Sequence, residues 1–267
     1  AHSTEICSGM MAVAPGSFMQ EIADFSLLYP YQLLLYYHFT EDREFLEQLL
    51  PVAEGVERYF DRFKNKEGLV ENVKTKWNLV DWPENLRDGY DFDLSQPVVG
   101  DGCHNVINAL YIGMKKCLNR IREILDIPGR SETEKLIEAY IKVFYDEERG
   151  LFTDAYGSRH CSLHANVFPA FYGVLPKGNR ISELIRDKGL SCGVFVSYFV
   201  LYALIRMGEK GLAYDLIVNT TEHSWYNMLK EGAETSFEAW GKDQKWNTSL
   251  CHAWAAAPIP VLKEYFD

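Results

Sequence analysis

Residues 24–39 read DFSLLYPYQLLLYYHF, with apolar side chains around most of the circumference that a 3.6-residue period generates. That pattern predicts a helix buried on nearly all sides, which needs other helices around it. The flanking sequence supplies them. Pro51 sits where the first turn of a helix tolerates it, ahead of VAEGVERYFDRF. Helical spacing resumes with HNVINALYIGMKKCLNRIREIL from residue 104. It continues with SETEKLIEAYIKVFYD from residue 131, where Ser131 and Glu134 make a capping-box pair. LHANVFPAFYGV, ISELIRDKG, GVFVSYFVLYALIRMG, EKGLAYDLIV, HSWYNMLKEG and LCHAWAAAPIPVLKEYF follow. The total is about nine or ten helices by periodicity, several closed by glycine (Gly189, Gly208, Gly232). No series of alternating Val/Ile strands and no Rossmann or P-loop glycine pattern interrupts them. The predicted fold class is all-α, one continuous domain over residues 1–267 made of successive helical hairpins.

Two architectures suit such a chain. A superhelical repeat array would show a fixed sequence period, and none is visible. An α/α toroid closes its hairpins into a ring and gathers its loops at one end. The long polar stretch at 64–102 and the segment EERGLFTDAYGSRHCS at 147–162 favour the toroid, because loops of this length in a compact domain usually carry function.

The 267 residues are 47% hydrophobic and 24% charged, an ordinary globular balance. No apolar run reaches the length needed to cross a bilayer, so no membrane partner is expected; the longest, 193–205, is broken by Ser and Tyr. The opening residues AHSTEICSGMM show no signal-peptide pattern, which leaves the compartment open. A net charge of −11 repels phosphate backbones, so nucleic acid is not an expected partner. The six cysteines are dispersed without a C-x-x-C pair and read as buried free thiols, so neither a metal nor a cofactor is expected. Aromatic residues, 14% of the chain, cluster beside acids and histidines in KWNLVDWP, EHSWYNM and FEAWGKDQKW. Flat rings beside carboxylates suit sugars, which offer C–H faces and hydroxyls together. Any single ring among them serves equally well as filler of a helical core.

The stretch GAETSFEAW at 232–240 holds Glu234 and Glu238 four residues apart. On a helix they would share a face, at a cost of a few tenths of a kcal/mol. Glycosidic cleavage needs two carboxyl groups on opposite sides of the bond. Glu238 therefore reads as one half of a pair whose partner lies elsewhere, and Glu234 as a solvent-facing or loop-capping residue. The aromatic neighbours of Glu238 are expected to desolvate it and raise its pKa; the structural alternative is a surface salt bridge.

The run SCGVFVSYFVLYALIRMGEKGLAYDLI, then SWYNMLKEGAETSFEAW, then SLCHAWAAAPIPVL, resembles the end of the catalytic domain of glycoside hydrolase family 78, the α-L-rhamnosidases. The family pattern, roughly Gly-Ala-Thr-Thr-x-x-Glu-x-Trp followed by Ser-x-x-His, is similar to Gly232–Trp240 and then Ser249 and His252 here. Glu234 departs from it at a usual Thr position. Upstream, Asp24 matches an acid before a buried helix, and NLVDWP resembles a Gly-Asp-Trp loop with Val80 in place of Gly. The family's general-acid motif, Asp-Cys-Pro-x-Arg-x-Glu, does not occur in this sequence.

The resemblance implies an (α/α)6 toroid of the six-hairpin glycosidase type, incomplete at its N-terminus, with N-terminal domains of a longer chain as possible partners. It implies inverting hydrolysis of terminal α-L-rhamnosides, with Glu238 as general base and a carbohydrate substrate bound by Asp24, Asp81, Trp82, Trp240 and His252. Without the acid motif, weak or absent turnover is expected of this chain alone. From the residues themselves, Asp24 and Asp81 serve equally as hydroxyl ligands or helix caps, and Trp77 and His104 join the sugar-binding candidates. A carbohydrate-binding pseudo-enzyme and an all-α scaffold without a small ligand are the competing readings.

Overall fold

The computed structural model describes residues 9–11, 21–74, 76–95, 99–129 and 133–267. Ser131 of the expected capping box and Cys7 lie outside them. Ten α-helices occur among the described residues: α1 (Ala23–Thr40), α2 (Arg43–Asp61), α3 (Asn105–Ile124), α4 (Thr133–Phe144), α5 (Leu163–Phe171), α6 (Ile181–Lys188), α7 (Val194–Arg206), α8 (Lys210–Ile217), α9 (Trp225–Lys230) and α10 (Pro258–Tyr265). Two short strands (Tyr145–Asp146 and Leu151–Phe152) and two 3₁₀ turns (Glu84–Leu86 and Ala253–Ala256) complete the regular structure. The expected final helix from residue 250 begins only at Pro258, after the second 3₁₀ turn. No helix among the described residues is long and apolar enough to cross a membrane.

The chain divides into two compact units. The described residues of the first fall within Ala1–Leu79, Phe92–Tyr145 and Ala155–Ser158. Here α3 packs against α1, α2 and α4. Its buried face includes Val106, Leu110, Met114, Cys117 and Ile121, at the three- and four-residue spacing that makes one side of a helix apolar. Ala23, Leu27, Leu28 and Leu33 of α1 are buried as expected, but Tyr36 is 39% exposed and Phe39 72%. Near-complete burial is thus corrected: the buried positions of α1 lie between Ala23 and Leu33, and none follows Leu33. Apolar periodicity reports what a helix is able to bury, and its neighbours decide what it does bury.

The same unit contains an ion network between α2 and α3. Lys115 Nζ lies 2.9 Å from both Glu57 and Asp61, and Arg122 lies 2.9 Å from both Glu54 and Glu57. The Tyr111 hydroxyl donates to Asp61. Burial by itself raises the Glu57 and Asp61 carboxyls. Lys115 and Arg122 around Glu57, and Tyr111, Lys115 and Lys64 around Asp61, outweigh it and hold both below the ordinary carboxylate value.

The second unit comprises Val80–Asp91, Asp146–Asp154 and Arg159–Asp267. Here α7 packs against α5, α8, α10 and the 253–256 turn. Val194, Val196, Phe199, Val200, Leu201, Ala203 and Leu204 are buried, so the 193–205 run is a core helix. Four of the described cysteines, Cys103, Cys117, Cys161 and Cys192, are buried free thiols, whereas Cys251 is exposed.

Candidate active site

Helix α9 begins where Ser224 Oγ accepts from the Asn227 amide at 3.0 Å, and its last turn leads into Gly232 at φ 83°. A left-handed residue there stops the helix and turns the chain away. Residues 232–240 are consequently irregular, so Glu234 and Glu238 do not share a helical face; this corrects the geometry expected from their spacing. Glu234 is exposed.

The irregular stretch is laced instead to the segment carrying Ser249 and His252. The Glu238 amide donates to the Ser249 carbonyl and the His252 amide to the Ser236 carbonyl, both at 2.8 Å. Ser236 Oγ donates to the His252 carbonyl at 2.7 Å, and the Thr235 hydroxyl to that of Leu250. Asn227 of α9 holds the far end by donating to the Trp240 carbonyl at 3.0 Å. The two pieces of the C-terminal sequence pattern therefore form one structural device.

Glu238 is half-buried. Its Oε2 accepts from Lys245 Nζ at 2.6 Å and from the Ser249 amide at 2.9 Å. Among the described residues no hydrogen bond reaches Oε1. Burial by itself raises this carboxyl, but Lys245, the Ser249 amide and the His252 charge outweigh it and hold Glu238 below the usual glutamate value. The expected upward shift is thus reversed, by a lysine seven residues downstream. Lys245 Nζ also stands 5.9 Å from the centroid of the Trp82 ring, which brings Trp82 and Glu238 to one cation.

His252 stacks on Trp254 at 4.2 Å, and its buried Nδ1 has no hydrogen-bond partner among the described residues. Trp254 Nε1 donates to the Glu238 carbonyl at 3.0 Å, so both aromatic groups sit against the acid's backbone. Trp240 is placed differently from the expectation. It is 0% exposed, donates from Nε1 to the Cys192 carbonyl at 2.6 Å and packs edge-on against Trp225. A ring enclosed in this way has no face to offer a sugar.

Asp81 is likewise enclosed. Its Oδ1 accepts from the Trp82 amide at 2.7 Å, and its Oδ2 from His164 Nε2 at 2.7 Å and from the Gly193 amide at 2.6 Å. Gly193 is the N-cap of α7, and a Cβ there would collide with the Trp82 carbonyl and the Asp81 carboxylate. One buried carboxylate thus fixes the Trp82 loop, the start of α5 and the start of α7, so Asp81 takes the capping alternative of its two readings.

In the first unit, Asp24 Oδ2 accepts from the Leu79 amide at 2.6 Å, and Ala23 donates to the Trp77 carbonyl at 2.8 Å. The first turn of α1 therefore holds residues 77–79. His104 is buried, bonds Asn78 at 2.9 Å and stacks on Phe92, and burial pushes its pKa down to about 3. It is a satisfied core histidine.

Lys245 and His164 escaped the sequence reading. Lys245 stands in the acid- and aromatic-rich run FEAWGKDQKW, where a cation was the available signal. His164 is a lone titratable group in the apolar segment LHANVFPAF.

The family model described as the bacterial alpha-L-rhamnosidase 6 hairpin glycosidase domain matches residues 8–266. Among solved structures, the chain is similar to a rhamnosidase from Klebsiella oxytoca with rhamnose bound, at 17% identity and a TM-score of 0.74, over 96% of this chain and 51% of that one. It is also similar to a glycoside hydrolase family 78 rhamnosidase of Bacillus sp. GL1, at 19% identity and a TM-score of 0.72, over 94% of this chain and 27% of that one. A Streptomyces avermitilis alpha-L-rhamnosidase complexed with L-rhamnose gives 19% and 0.65, over 88% of this chain and 22% of that one. The chain thus spans about half or less of these relatives' lengths. Comparison with curated proteins returned no match. The fold class is the all-α, six-hairpin glycosidase type, and the chain belongs to the bacterial alpha-L-rhamnosidase six-hairpin glycosidase domain family.

Proposed function

We propose that this chain is the catalytic-type domain of a glycoside hydrolase that cleaves terminal α-L-rhamnosides with inversion, working as one domain over residues 1–267. Glu238 is the general base. The observation that carries this reading is the Glu238 carboxylate: it is held below its ordinary pKa and tethered through Oε2 by Lys245 and Ser249. A base must be ionised before it takes a proton from water, and the tether leaves Oε1 to do so. Family membership and the rhamnose named with two of the solved relatives support the sugar.

Trp82 offers a ring face to the sugar, and His252 Nδ1, buried without a partner among the described residues, bonds a hydroxyl. Asp81 and Asp24 contribute by fixing backbone, and Trp240 packs behind the base. Inversion also requires a carboxylic acid about 6.5–9.5 Å from the base. The motif that carries it in the family is absent from this sequence, so the chain on its own is expected to turn over weakly or not at all.

The test is hydrolysis of an aryl α-L-rhamnoside by the natural full-length protein, with the first-formed anomer read by NMR. Inversion yields the β-anomer first, and Glu238→Gln should lower kcat by about 100- to 10,000-fold. Retention of configuration, or full turnover by the variant, would sink the assignment. The alternative reading is a carbohydrate-binding pseudo-enzyme. Rhamnose binding without turnover by the full-length protein would establish that reading instead.

A further inference from the structure

We propose that Lys245 is a positioning residue for Glu238: it locks one carboxylate oxygen, leaves the other for the nucleophilic water, and ties the base to the Trp82 ring. The proposal deepens the reading of Glu238 as base and rests on it. The Lys245 and Glu238 side chains are 8% and 14% exposed, and their charged atoms are 2.6 Å apart. An exposed ion pair is worth little because water screens it and two long side chains lose freedom. This pair has lost most of that water.

Geometry adds direction. The Ser249 amide and Lys245 both engage Oε2, so the carboxylate plane is fixed by two donors of different origin, one backbone and one side chain. Lys245 reaches the same point as the Trp82 ring, 5.9 Å from its centroid, within the range of a cation–π contact. A sugar stacked on Trp82 would meet the base that the lysine orients. The charged and titratable groups acting on Glu238 are Lys245 and His252. His252 shares the laced segment without bonding the carboxylate, whereas Lys245 bonds it directly.

The sign of the pH effect follows. Lys245 favours the ionised carboxylate, so its loss raises the pH at which Glu238 gains a proton. The acidic limb of kcat/KM then moves to higher pH.

The experiment uses the natural full-length protein with ¹³C-labelled glutamate, the Glu238 resonance being identified by its loss in Glu238→Gln. Its titration is followed in wild type, Lys245→Met and Lys245→Arg, beside the pH profile of kcat/KM. The expected result is a Glu238 midpoint displaced upward in Lys245→Met and restored toward wild type in Lys245→Arg, with the acidic limb moving in the same order. A midpoint unmoved in Lys245→Met overturns the proposal, as does an acidic limb that stays put while the midpoint moves. Should Lys245→Met fail to fold, Lys245→Gln provides the same readouts, because it removes the charge from a side chain that still hydrogen-bonds. Turnover surviving Glu238→Gln would reject Glu238 as base, a failure visible apart from the titration.

Discussion

Two tryptophans that look alike in sequence separate sharply at the level of single residues. Trp82 is half-buried beside a lysine, whereas Trp240 is sealed in the core with its indole N–H satisfied. Trp240→Ala should therefore cost about 3–5 kcal/mol, the usual penalty for emptying a large core site, read from denaturant unfolding. Trp82→Ala should leave unfolding within about 1 kcal/mol of wild type and weaken rhamnose binding, read by calorimetric titration. Equal effects of the two on unfolding would contradict this division. The sequence singled out Glu238 as a candidate because its aromatic neighbours and the downstream Ser249 and His252 stand at recognisable spacings. It hid Lys245, because the irregular backbone after Gly232 brings them together where helical spacing would not. It also misled on the Glu238 pKa: aromatic neighbours announce desolvation, and the outweighing cation comes from a loop.

Among the elements, α2 and α3 are joined by charge as well as by apolar packing. Glu57 is fully buried and Arg122 nearly so, and each depends on the other for compensation. Arg122→Met leaves Glu57 with Lys115 as its remaining cation and should destabilise the protein by about 1.5–3 kcal/mol near neutrality, the cost of losing a hydrogen bond to a charged group. The wild-type network has a pH signature with a definite sign. Glu57 and Asp61 titrate below their unfolded values, so their stabilisation is complete above the ordinary carboxylate range and is lost as pH falls through the lowered folded values. Urea unfolding from neutral to acidic pH should show that decline, and Arg122→Met should flatten part of it. A parallel decline in the variant would show that the network is not its source. Helical periodicity predicted that these elements exist and that α7 is buried. It could not foresee that α1 leaves Phe39 in water, since exposure depends on neighbours.

For the whole molecule, the all-α class followed from helical period and from the absence of strand and nucleotide-loop patterns. The sequence did not show two compact groupings of contacts, because their boundaries fall in loops at 79, 91, 154 and 158 and within the two-residue strand Tyr145–Asp146, none of which the hydrophobic pattern marks as a division. We propose that the chain nonetheless folds as one domain. On that proposal, differential scanning calorimetry should show one transition, displaced to lower temperature both by Arg122→Met in the first unit and by Trp240→Ala in the second. Two transitions, each moved by only one variant, would require the chain to be divided.

The exposed thiol of Cys251 stands next to His252 and two residues from the amide that anchors Glu238, while the other four described cysteines are shielded. Alkylating reagents in solution are thus presented with a nucleophile two residues along the chain from the amide that anchors the proposed catalytic carboxylate. A fluorophore attached there would report ligand entry from the segment that carries the base's own anchor, and oxidants would find the same atom first.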